Sequence, residues 1–137
     1  MNRILSLDES DWVSMSERHA LFLSVRLRRH TKAPSLRPIQ GAALHECQLA
    51  AGRGSGIGVF LPVGVGWGKT GIGELAGTAM SKVVGRKLRT VLIVPANLRD
   101  KTFSDRKWWR EHYKYDPPIT ISHEKLSSPN AIQLLDE

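Results

Sequence analysis

Gly66-Trp67-Gly68-Lys69-Thr70 places two glycines, a lysine and a hydroxyl residue within five positions, directly after the apolar run at 57–65. A helix-compatible stretch containing Glu74, Leu75, Ala76 and Met80 follows. Strand, glycine-rich turn, Lys-Thr and helix, in that order, make a cradle for the phosphates of a nucleotide. Backbone N–H groups in the turn and at the helix start point at the anion, and the helix dipole favours negative charge there. Lys69 is expected to reach the β- and γ-phosphates as a point charge, and Thr70 to offer its hydroxyl to Mg²⁺. The candidate cofactor-binding turn is therefore Val63, Gly64, Val65, Gly66, Trp67, Gly68, Lys69 and Thr70, with Lys69 and Thr70 as its catalytic pair and Thr70 as metal ligand.

Two other readings of the turn exist. The full phosphate-loop pattern G-x-x-x-x-G-K-[ST] asks for glycine where this chain has Val63, so a flexible turn with a solvated lysine is the bland alternative. Gly64-x-Gly66-x-Gly68 also looks like a dinucleotide fingerprint. That fold needs an acidic residue about 20 positions further on, at the end of the second strand. The next strand here ends Val94-Pro95 without a carboxylate, which excludes it.

The elements that must hold this turn can be read from local patterns. The run at 57–65 is expected to be the first strand. Thr90-Val91-Leu92-Ile93-Val94 is a β-branched run of the kind buried on both faces of a parallel sheet, and Pro95 stops it. A helix over 98–113 carries Phe103, Trp108, Trp109 and Tyr113, with one indole expected in the core and the other on the surface. Pro117-Pro118 marks a loop, Ile119-Thr120-Ile121-Ser122 a third short strand, and Ser128-Pro129 the start of a last helix to Glu137. Upstream, Asp8 or Ser10 caps a helix to about Arg29, with Trp12, Met15, Phe22, Leu23 and Leu27 as its apolar stripe. The stretch at 32–35 reads as a linker, and Pro38 opens a second helix through Leu44, Cys47 and Leu49, followed by a glycine-rich loop at 51–56. The expected fold class is α/β, a parallel sheet flanked by helices, with an accessory helical extension at 1–35 preceding a domain at 36–137.

Composition bounds the rest. The chain has 137 residues, 41% of them hydrophobic, enough to bury a core. The single cysteine, Cys47, excludes an internal disulfide and a multi-cysteine metal site, and suits a reducing compartment. Acidic residues interrupt the N-terminus before a signal-peptide core forms, and no apolar run approaches the ~20 residues of a membrane helix. A cytoplasmic protein with no membrane partner is expected. Net charge is +7, and ten Lys and Arg residues crowd into the quarter from Lys82 to Lys114. That concentration suits a polyanion, nucleic acid foremost.

Four segments taken together resemble the start of the first motor domain of superfamily 2 helicases, most closely the Swi/Snf-type DNA translocases. Leu36-Arg37-Pro38-Ile39-Gln40 is similar to the element whose glutamine reads adenine, and the turn at 63–70 to the ATP-binding motif. Val91 to Pro95, then Leu98 and Trp108-Trp109-Arg110-Glu111, resembles the next motif, a strand-Pro turn beside the nucleic-acid backbone followed by a helix. Ile121-Ser122-His123-Glu124-Lys125-Leu126 looks like the segment after the third strand, with His123 where tyrosine is frequent. The resemblance implies a partial RecA-like domain of the P-loop NTPase kind that binds ATP and Mg²⁺. It also implies that Gln40 contacts adenine, and that Pro95, Ala96, Asn97, Arg99 and Lys101 meet nucleic acid, DNA ahead of RNA.

The acidic Asp-Glu pair that hydrolysis requires is not convincingly present, since Asp136-Glu137 follows a helix signal. The expectation is thus the ATP-binding N-terminal portion of a nucleic-acid-dependent ATPase, not competent for hydrolysis alone, whose remaining partner is the rest of the motor. The alternative is a truncated, non-catalytic module that binds polyanions.

Overall fold

A computed structural model describes residues 9–54, 58–64 and 66–129. Two long helices come first, α1 (Glu9–Leu27) and α2 (Pro38–Arg53), followed by α3 (Lys69–Val84) and strand β1 (Val91–Val94). A 3-10 turn at Ala96–Leu98 leads into α4 (Arg99–His112), then strand β2 (Ile119–Ser122) and a single helical turn, α5 (His123–Leu126). The chain is mixed α/β and mostly helical. Its sheet, among the described residues, is one parallel pair in which Val91 faces Ile119 and Val94 faces Ser122. Parallel strands need a long crossover, and α4 supplies it.

Local chemistry explains most boundaries. Pro38 occupies the first turn of α2, where a missing N–H costs nothing. Gly85, at φ 75°, closes α3 in the left-handed conformation that glycine adopts without strain. The Ser122 side chain caps α5 by accepting from the Lys125 N–H.

The core lies where α1, α2 and α3 meet, around Leu23, Leu27, Leu44, Leu75 and Tyr113. Close approach depends on small residues. A side chain at Gly41 of α2 would run into the Ala20 backbone of α1. On α3, Gly73 and Gly77 let Leu92 and Thr90 of the β1 segment come down onto the helix. The end of α1 is then sewn to the end of α4. The Arg29 N–H donates to the His112 carbonyl at 2.9 Å and the Lys114 N–H to that of Leu27 at 2.7 Å, while the Tyr113 hydroxyl donates to Pro34. Helix α1 thus shares one core with α2 and α3.

Several expectations need correction. Residues 58–64 form no strand; Leu61 and Val63 pack against the core without entering a ladder, so the described sheet has two strands and not three. A strand requires a partner edge, which apolar composition does not supply. β1 is not buried on both faces, because Val91 and Ile93 stay exposed. Phe22 points outward, and the inward stripe of α1 runs through Ser16, Ala20, Leu23, Ser24 and Leu27. α2 continues to Arg53, into the stretch read as loop. Ser128 and Pro129 lie in a turn, while the rest of the expected last helix, with Asp136 and Glu137, falls outside the described residues, as do Asp8, residues 55–57 and Val65. One indole is half-buried, as expected: Trp109 packs on the core, and Trp108 lies 40% exposed.

Candidate nucleotide-phosphate site

The turn before α3 takes its shape from two glycines. Gly66 and Gly68 sit at φ 80° and 84°, a region costly for any residue with a Cβ. Lys69 and Thr70 are the first residues of α3, and no side chain caps that helix start. Its first-turn N–H groups and the positive end of the helix dipole are therefore turned to the space beyond the turn.

Two donors from the segment at 36–40 brace the turn. The Arg37 guanidinium donates to the Gly66 carbonyl at 2.7 Å, and the Gln40 side-chain amide to that of Gly68 at 3.1 Å. At its other end the Gln40 side-chain oxygen accepts from the Arg37 backbone N–H at 2.8 Å. Gln40 is buried, so its own two bonds are partly shielded from competing water, whereas the Arg37–Gly66 bond is exposed. The two loop carbonyls that would repel an anion are thus engaged by N–H donors.

A cleft of about 700 Å³ opens between this turn and the C-terminal half of β1 with the start of α4. Gly66, Gly68, Lys69 and Thr70 line one wall, Leu92, Ile93, Val94 and Leu98 the apolar side, and Lys101, Thr102 and Asp105 the α4 side. Arg37 adds a cation beside Lys69. Lys101, expected to meet nucleic acid, lines this cleft and pairs with Asp105 at 3.2 Å across one helical turn. Pro95, Ala96 and Asn97 form an exposed turn at the end of β1, and Arg99 lies at the start of α4 with its guanidinium over the Phe103 ring. Val63 packs on the core, Gly64 lies under the Trp67 indole, and Trp67 itself is largely exposed.

The donor set fits a magnesium-bound triphosphate. Mg²⁺ keeps several waters and takes one or two protein oxygens together with phosphate oxygens. Thr70 has a hydroxyl in the cleft and Asp105 a carboxylate on the opposite wall, while Lys69, Arg37 and Lys101 supply positive charge. Among the described residues no group of three or more His, Cys, Asp or Glu is placed to hold a metal by itself.

A second, buried cluster stands behind α3. The Glu74 carboxylate, fully buried, accepts from Arg106 at 2.6 Å and 3.0 Å in a two-pronged pair. It also accepts from the Tyr115 hydroxyl at 2.9 Å, while Arg106 donates on to the Thr120 hydroxyl at 2.6 Å. Burial and the adjoining Glu74 carboxylate push the Tyr115 phenol far up. This cluster ties the helix that begins with Lys69 to α4 and β2. Sequence reading missed it, although a lone acid between the apolar Ile72 and Leu75 was a visible signal. Arg37 was read only as part of a motif, and nothing in local pattern placed Lys101 with Asp105 at the cleft.

Burial, with the neighbouring Glu46 carboxylate, raises the half-buried Cys47 thiol, which disfavours the nucleophilic thiolate. No helix among the described residues is long and apolar enough to cross a membrane. Comparison with protein-family models, curated proteins and solved structures gave no match.

Proposed function

We propose that this chain binds Mg-ATP at the cleft beside α3 and forms the front of a nucleic-acid-dependent ATPase. The resemblance of its motifs points to a RecA-like motor of the superfamily 2, Swi/Snf-type translocase kind. The observation that carries this reading is Lys69-Thr70 at the uncapped start of a sixteen-residue helix, behind two left-handed glycines, facing a cleft of nucleotide size. Lys69 and Arg37 would hold the phosphates by charge, the first-turn amides of α3 by directed donors, and Thr70 the metal. When bound, Mg²⁺ supplies charge neutralisation on the phosphate oxygens.

Gln40 acts in this proposal first as a brace of the turn. Its amide keeps one N–H and one lone pair beyond the two bonds described, which leaves the adenine contact implied by the resemblance chemically open. The exposed turn of Pro95, Ala96 and Asn97, with Arg99 after it, is the proposed DNA contact. Lys101 serves the nucleotide cleft instead.

Hydrolysis needs a group to position the attacking water in addition to the metal ligands. Asp105 is the one carboxylate among the described cleft residues, and Lys101 holds it. These residues are accordingly proposed to bind nucleotide without turning it over. A second reading, a polyanion-binding module with no nucleotide, draws support from the absence of a strand at 58–64 to anchor the turn.

Titration of Mg-ATP into the wild-type chain and Lys69→Ala separates the two. Loss of a charge-assisted contact should weaken binding by roughly 10- to 100-fold. Negligible binding by both proteins would remove the nucleotide reading and leave the polyanion module.

A further inference from the structure

On the outer side of α4 lies a separate cleft of about 500 Å³, lined by Arg29, Phe103, Arg106, Lys107, Arg110 and Glu111. Arg106 is neutralised by Glu74 behind it. The other three cations face one carboxylate, and Lys107 and Arg110 have no ion-pair partner among the described residues. Arg29 is held in place by donating through its Nε to the Arg110 and Tyr113 carbonyls, at 2.6 Å and 3.1 Å. Its terminal amino groups remain for a ligand. The concave surface thus collects positive charge that the protein does not balance itself.

We propose that this cleft is an anion site for the sugar-phosphate backbone of a nucleic acid, built jointly by the segment just after α1 and the outer face of α4 through Arg29, Lys107 and Arg110. Arg99, Phe103, Lys107 and Arg110 follow one another at three- and four-residue steps along one face of α4, side chains about 5–6 Å apart. The cations on that face are Arg99, Lys107 and Arg110, and Lys107 and Arg110 are the adjacent pair whose spacing suits neighbouring phosphates of a polymer. Guanidinium groups match phosphate oxygens in two-pronged fashion. The hollow is shallow and open to solvent, and its excess of cations over a single carboxylate is what suits a strand of phosphates. Arg99, two helical turns before Lys107 and outside this cleft, lies between it and the contact proposed at residues 95–97. The inference rests on the nucleic-acid half of the proposed function for its partner class, and is independent of the nucleotide half. It makes the segment just after α1 part of the binding surface.

The test is fluorescence anisotropy of the whole chain with a labelled 20-nucleotide strand and a 20-base-pair duplex, between 50 and 200 mM salt. Three contacted phosphates imply a log–log salt slope of about −2 to −3. Lys107→Glu with Arg110→Glu should weaken binding at least about tenfold at low salt and make the slope shallower by about 2. Lys107→Gln with Arg110→Gln should flatten the slope equally without added repulsion, and circular dichroism and Mg-ATP titration of both variants check the fold. An unchanged slope in folded variants overturns the proposal. So does equal binding of poly-glutamate, or a loss confined to vesicles containing phosphatidylserine. If an Arg99 variant loses DNA binding while these variants keep it, this cleft fails and the proposed function stands. If the wild type binds no nucleic acid, both lose their nucleic-acid component.

Discussion

Gln40 links two segments 28 residues apart, and both its bonds are to backbone groups: the Arg37 N–H and the Gly68 carbonyl. Gln40→Glu keeps an acceptor for Arg37 but removes the donor to Gly68 and sets a carboxylate against a carbonyl oxygen. It should destabilise the nucleotide-free chain by about 1–3 kcal/mol, as a lower urea midpoint at unchanged slope. Wild-type stability without nucleotide would show that Gln40 braces nothing. Tyr115 permits a test by pH. Its phenol is raised by burial and by Glu74, so the folded chain holds the proton more tightly than the unfolded chain does. That contribution is complete below about pH 10, the ordinary phenol value, and is lost as pH rises beyond it. Between pH 9.5 and 11 the stability of Tyr115→Phe should fall less steeply than that of the wild type. Parallel curves would contradict the phenol–carboxylate contact.

At the scale of elements, glycine decides how closely helices and strands meet. Gly41 brings α2 against the backbone of α1 at Ala20, which no flexible side chain can relieve by moving. Gly41→Ala should cost about 1–3 kcal/mol by overpacking, readable as a drop in thermal midpoint with helical content retained. A neutral result would mean that the two helices can slide apart freely. α3 uses glycine differently: Gly73 and Gly77 receive side chains from the β1 segment, and Gly71 receives the Trp109 ring. One helix therefore carries the Lys69-Thr70 end, the packing face for β1 and the buried Glu74. Movement of α3 on nucleotide binding would be felt directly by Arg106 and, through it, by the outer cleft.

Across the whole molecule, the parallel pair leaves each of its strands with one unpaired edge among the described residues. Val91 and Ile93 stay exposed on β1, which combines apolar side chains with free backbone donors and acceptors. Such an edge invites pairing with another chain, and an inserted lysine opposes it. Sedimentation velocity should show concentration-dependent association of the wild type, reduced in Ile93→Lys. A wild-type chain that stays monomeric through the high micromolar range would show that the edge is protected. Net charge of +7 works against such association at low salt, so added salt should strengthen it.

Near-neighbour sterics were legible in the sequence. Pro38 opens a helix, a β-branched run makes β1, and glycines before Lys69-Thr70 make a turn that exposes a helix start. Each depends on residues within a few positions of one another, so local rules suffice. The tertiary structure decided what faces what. Glu74 finds Arg106 32 residues away, Arg37 finds Gly66, and Lys101 lines the cleft beside Lys69 and Thr70. The apolar residues at 58–64 pack without joining a ladder, because a strand exists only where another edge pairs with it. Periodicity assigns a residue to a face, but its partner is settled only when distant surfaces leave water together.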